Sequence, residues 1–71
     1  MKHFKVRVWT VYDGLEWYSD YVKIGESPEG VQKDVREEEE VYVHDLSGEK
    51  ITKIDVFQIP KKDYVTLKKY L

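Results

Sequence analysis

The 71-residue chain contains no cysteine, and that absence removes disulfide frameworks, thiolate metal sites and cysteine nucleophiles together. A secreted chain this short would usually carry bridges, so a reducing cytoplasm is the expected setting. Long apolar runs are missing too. The N-terminus, Met1-Lys2-His3-Phe4-Lys5-Val6-Arg7, interleaves apolar residues with charge, and no stretch approaches the roughly 20 apolar residues that cross a bilayer. Neither a signal peptide nor a membrane anchor is expected. Gly14, Gly25, Gly30 and Gly48 stand apart from one another, so no glycine-rich loop can cradle a phosphate. His3 and His44 are far apart in sequence and supply no zinc constellation. The run Glu37 to Glu40 lacks the spaced ligands and tight glycine turn of a calcium loop. No cofactor and no metal is expected.

Aromatics and charge are abundant instead. Hydrophobic residues make up 41% of the chain, with six Tyr, two Trp and two Phe, too apolar for a disordered segment. The length allows one domain over residues 1–71 and one core, with a net stability of about 5 kcal/mol. Charge is segregated: by formal count Met1–Tyr12 carries +3, Asp13–Asp45 carries −8 and Leu46–Leu71 carries +3. Such a layout can steer a partner by its field, or let the two ends lie against the middle and neutralise it.

Phe4, Val6 and Val8 alternate with Lys5 and Arg7, the period-2 mark of a half-buried strand. Asp13-Gly14 follows, a pair suited to the two positive φ angles of a type I′ turn, and predicts a hairpin into a second strand from Leu15 to Ile24. Ser27 then offers a cap, Pro28 suits the first helical position, and Val31 and Val35 share a helix face. The pattern predicts that this helix ends in the glutamate run and that Val41-Tyr42-Val43-His44 forms a third strand. Leu46 to Glu49 reads as a turn and Lys50 to Ile59 as a fourth strand, stopped by Pro60. Residues 61–71 form a short terminal helix or an extended arm, with Tyr64, Leu67 and Leu71 at helical spacing. The expected fold is α+β: a ββαββ domain whose antiparallel sheet carries the central helix on one face.

A two-residue turn makes the numbers of facing hairpin residues sum to 27, placing Arg7 opposite Asp20 and Trp9 opposite Tyr18. In that register Val22 and Ile24 point away from the helix, unless a bulge near Ser19-Asp20 or a three-residue turn restores them. Alternation also prevents Trp9, Tyr12, Trp17, Tyr18 and Tyr21 from sharing one face. Some large aromatics must lie away from the helix, where the tail covers them or a partner does.

Catalytic candidates are poor, and an enzyme is not expected. Ser27 is used as a cap and Ser47 lies in a turn. His44 and Asp45, read as strand neighbours, would point to opposite faces. Three readings remain. The leading one is a non-catalytic protein-binding module, an accessory factor or inhibitor, with Arg7, Trp9, Trp17, Tyr18 and Tyr21 as partner-binding residues. Asp34, Glu37, Glu38, Glu39, Glu40 and Asp45 would form an acidic surface that guides it or imitates a nucleic acid. Small phage and mobile-element inhibitors share this size and acidity, a likeness of composition that covers no motif. The second reading is a single-strand nucleic-acid binder, using Lys5, Arg7, Trp9, Tyr18 and Tyr21 as a stacking platform. The third is a structural homodimer.

Overall fold

The computed structural model describes residues 1–45 and 50–71, with the backbone alone over 40–45. The chain forms β1 (Lys2–Tyr12), β2 (Leu15–Gly25), α1 (Pro28–Asp45), β3 (Lys50–Ile59) and α2 (Lys61–Tyr70). The three strands form one antiparallel sheet in the order β2-β1-β3. Both outer strands run antiparallel to β1 and hence parallel to each other. The β2-α1-β3 segment is therefore a split β-α-β unit with β1 filling its gap. The class is α+β, as the sequence pattern predicts, in the order ββαβα.

The hairpin turn follows from Asp13 at φ 53° and Gly14 at φ 77°, which is type I′ geometry. The register holds without a break from Tyr12↔Leu15 to Lys2↔Gly25. The bulge considered at Ser19-Asp20 does not occur, because nothing forces Val22 and Ile24 back: they belong to the face that α2 partly covers. A bulge occurs instead in β3, where Trp9 faces Lys53 and Thr10 faces Ile51. Thr52 is left over, and its hydroxyl donates to the Trp9 carbonyl at 3.4 Å.

The core lies between the sheet and α1. Phe4, Val6 and Val8 alternate inward from β1 and meet Ile54 of β3 and Val31 and Val35 of α1, all buried. Tyr21, Ile51 and Val56 pack around them half-buried. Ser27 caps α1 as its sequence implies, with its hydroxyl accepting the Gly30 amide at 3.1 Å. The Gln32 side-chain amide donates to the Ile54 carbonyl at 3.0 Å and ties α1 to β3.

One strand of the expected set is absent. Residues 41–45, including Val41-Tyr42-Val43-His44, continue α1 rather than forming a strand. The physical reason is local. Lys33, Arg36 and the glutamates are good helix formers, whereas the strand preference of four residues is weak and needs a neighbouring ladder to realise it. Residues 46–49, read as a turn, lie outside the described residues. The tail is a helix: Pro60 precedes it, and its carbonyl accepts the amides of Asp63 and Tyr64 at 3.1 Å each. None of the α2 residues is fully buried.

Candidate interaction surface

Strand alternation gives the sheet two different faces. Phe4, Val6, Val8 and Thr10 point toward α1. His3, Lys5, Arg7 and Trp9 point away from it, beside Ile24, Val22, Asp20 and Tyr18 of β2 and Ile59, Phe57, Asp55 and Lys53 of β3.

On this second face Arg7 is the organiser. Its Nε and Nη2 donate to the two carboxylate oxygens of the facing Asp20 at 2.8 and 2.9 Å, a fork-to-fork pair. The guanidinium also lies 4.0 Å from the centre of the Tyr18 ring and 5.9 Å from that of Trp9. Trp9 and Tyr18 contact each other at 4.9 Å between ring centroids. The indole Nε1 of Trp9 donates to Asp55 at 3.1 Å, and Lys53 and Lys5 add ion pairs to Asp55 and Asp20 at 3.4 and 3.8 Å. The hydrogen bonds from Arg7 hold the Asp20 carboxyl below its ordinary value; partial desolvation opposes this, and the charges of Arg7 and Lys5 assist it. The hydrogen bond to Asp20 likewise raises the Arg7 guanidinium.

The other expected residues lie elsewhere. Tyr12, Leu15 and Trp17 gather on the α1 side at the hairpin tip, with the Tyr12 and Trp17 rings 6.4 Å apart. They stay exposed, at 47, 67 and 40%, and Tyr18 on the opposite face is 49% exposed. Tyr21 is different: its ring packs on the core and its hydroxyl is buried with no hydrogen-bond partner among the described residues. Burial pushes that hydroxyl far above its ordinary pKa, and Glu39 and Glu38 add to the shift. Tyr21 is thus separated from the platform formed by Arg7, Trp9 and Tyr18.

The acidic residues spread out because a helix advances about 100° per residue. Asp34 and Glu37 are exposed, Glu38 reaches down to Lys23, and Glu39 is half-buried. The side chains of Glu40, His44 and Asp45 lie outside the described residues. Among the described residues, no group of three His, Asp or Glu side chains is placed to hold a metal ion, and no helix is long and apolar enough to cross a membrane.

α2 sits at the far end of the second face. Tyr64 meets His3 edge-on at 5.0 Å, and Leu71 and Lys68 line a shallow cavity of about 190 Å³ with Tyr21 and Val22. His3 lies six positions from Trp9 along β1, about 20 Å at strand spacing. The Tyr64–His3 contact therefore falls at the opposite end of the sheet from Trp9 and Tyr18, and the cavity of Lys68 and Leu71 reaches Tyr21, three residues short of Tyr18. Sequence reasoning missed Asp55 and Leu15 as members of this surface. Leu15 follows Gly14 directly, and an apolar residue beside an exposed turn was the available signal; Asp55 gave none, because the neighbour of β3 was unknown. No protein-family model matches the chain, and neither a curated protein nor a solved structure is significantly similar to it.

Proposed function

We propose that the chain is a non-catalytic protein-binding module whose anchor is the tip of its β1-β2 hairpin. The observation that carries this reading is the exposure of Tyr12, Leu15, Trp17 and Tyr18 around a single turn, while the buried apolar core among the described residues is six residues. A domain with so little core gains from burying large apolar side chains wherever it can. Aromatics left outside are the residue types that anchor binding hot spots. The exposed acids Asp34 and Glu37 would act on the rate and choice of encounter rather than on the anchor itself.

The single-strand reading has support in the shared face of Lys5, Arg7, Trp9 and Tyr18. It is the weaker of the two. Arg7 and Lys5 are engaged by Asp20, Lys53 by Asp55, and one face of the Tyr18 ring by Arg7. A phosphate would have to displace carboxylates, and the bases would have to displace a guanidinium.

The test is affinity capture with the folded chain, repeated with Trp17→Ala and Leu15→Ser variants that keep the wild-type urea midpoint. A protein retained by the wild type and lost on either substitution, by about 30-fold or more as expected of a hot spot, bears out the reading. Equal retention by all three refutes it, as does salt-sensitive binding of a single-stranded oligonucleotide with no protein retained.

A further inference from the structure

We propose that the free edge of β2 is a strand-pairing site for a second copy of this chain. Two protomers would meet antiparallel about a two-fold axis through Ser19, forming a continuous six-stranded sheet. The inference rests on the protein-binding reading and names its partner.

A strand edge with unpaired amides and carbonyls attracts another strand unless it is blunted by prolines, bulges or exposed charge. The outer edges of this sheet differ in that respect. β3 carries the Thr52 bulge and ends against Pro60. β2 has eleven residues, an unbroken register, no proline and no bulge; its Asp20 and Lys23 are paired with Arg7 and Glu38, leaving Glu16 as its exposed charge, and among the described residues no strand lies outside it.

Hairpin geometry fixes which groups face outward. A two-residue turn closes with a hydrogen-bonded pair, here Tyr12 and Leu15, and pairing then alternates. Leu15, Trp17, Ser19, Tyr21 and Lys23 therefore direct their amides and carbonyls toward β1. Glu16, Tyr18, Asp20 and Val22 direct theirs to the free edge.

Charge and size then choose the register. An axis through Asp20 would set two Asp20 carboxylates face to face, and one through Tyr18 would set Glu16 against Asp20 of the copy. An axis through Tyr21 would leave Leu15 and Glu16 unmatched. An axis through Ser19 avoids all three. It places the small serines at the close, non-hydrogen-bonded centre, Tyr18 against Asp20, Trp17 against Tyr21, Glu16 against Val22 and Leu15 against Lys23, with no like charges directly opposed. Asp20 meets its copy only diagonally, and each is neutralised by its own Arg7. The exposed Trp17 gains an aromatic neighbour.

Such an edge contact is smaller than the roughly 1,200 Å² of a standard interface, so a Kd in the micromolar range is expected. Sedimentation of the full chain from about 5 to 500 µM brackets that range. The wild type is expected to dimerise. Ser19→Lys and Ser19→Glu each place like charges at the axis and should be monomeric, with the urea midpoint of the wild type when both are measured below the dimer Kd, because Ser19 is exposed. Mixing the two variants should restore the dimer. Glu16→Pro, which deletes an outward amide, should weaken it at least tenfold. A wild type that stays monomeric throughout, or a Ser19→Lys variant that dimerises as the wild type does, overturns the inference. If a monomeric wild type still retains a Trp17-dependent protein, the dimer fails and the module reading stands. A charge-restorable dimer that retains no other protein bears out the dimer and removes the foreign partner.

Discussion

Gly25 sits where β2 ends against α1, and the structure fixes what a side chain there would meet. Its φ is not in the left-handed region, so alanine carries no backbone strain and would ordinarily gain about 0.4–1 kcal/mol by restricting the unfolded chain. A Cβ at this position, however, would overlap Cγ2 of Val31, with Cε2 of Phe4 at 3.9 Å behind it. Val31 is 1% exposed and Phe4 fully buried. A β-branched side chain cannot swing its methyl away without leaving its rotamer, so the overlap costs about 1–3 kcal/mol as overpacking. Gly25→Ala should therefore destabilise by about 1–2 kcal/mol, a large share of the roughly 5 kcal/mol available to a domain of this size. Val31→Ala alone should cost about 2 kcal/mol through the lost methyls and the cavity. With Val31 truncated the overlap vanishes, and Gly25→Ala should become neutral or slightly stabilising. Urea unfolding followed by tryptophan fluorescence gives the four corners of the cycle. Equal costs for Gly25→Ala with valine and with alanine at position 31 would refute the packing account.

Tyr21→Phe removes a buried hydroxyl that has no partner among the described residues and should be neutral or stabilising by up to about 1 kcal/mol in urea melts. Because burial raises the Tyr21 hydroxyl above its ordinary 10.0, its contribution is present below pH 10 and lost as pH rises past it; the wild type should lose stability on the alkaline side and Tyr21→Phe should not. Asp20 runs the other way. Its carboxyl is lowered from an ordinary 3.8, so stability present above that value should fall as pH drops through and below it, and Asp20→Asn should flatten the acid limb. Val43→Pro should lower the helical circular-dichroism signal, because residues 41–45 belong to α1 and proline breaks a helix interior; an unchanged spectrum would return the segment to a strand.

The hairpin was legible because its signals were local and agreed. Asp13-Gly14 fits only a narrow set of turns, the turn sets the sum of facing numbers at 27, and that sum brings Arg7 to Asp20 and Trp9 to Tyr18. The start of α1 was legible for the same reason, through Ser27 and Pro28. Its end was not. Val41, Tyr42 and Val43 carry strand preference, and only the nucleated helix behind them, docked through Val31 and Val35, decides the matter. Asp55 could not be placed beside Trp9 from sequence, since that contact requires knowing that β3 joins β1 rather than β2. The terminal helix was legible in its spacing but not in its position, because Tyr64 and Leu67 would suit either end of the sheet equally.

The segregation of charge along the chain acquires a physical meaning once strands are paired. Basic β1 lies between two strands that each face it with a carboxylate: Asp20 from the acidic middle and Asp55 from the basic end. Lys5 and Arg7 are thereby paired with Asp20, Lys53 pairs with Asp55, and Lys23 with Glu38. To bind a phosphate, Arg7 would have to leave Asp20, and the vacated carboxylate would then stand beside the incoming anion and repel it. The same pairing has the opposite consequence for a protein partner. A guanidinium fixed between a carboxylate and the Tyr18 ring loses little further freedom when it is covered, so on the proposed protein-binding reading this face would receive a neutral surface at little entropic cost and a polyanion only by breaking the Arg7–Asp20 pair.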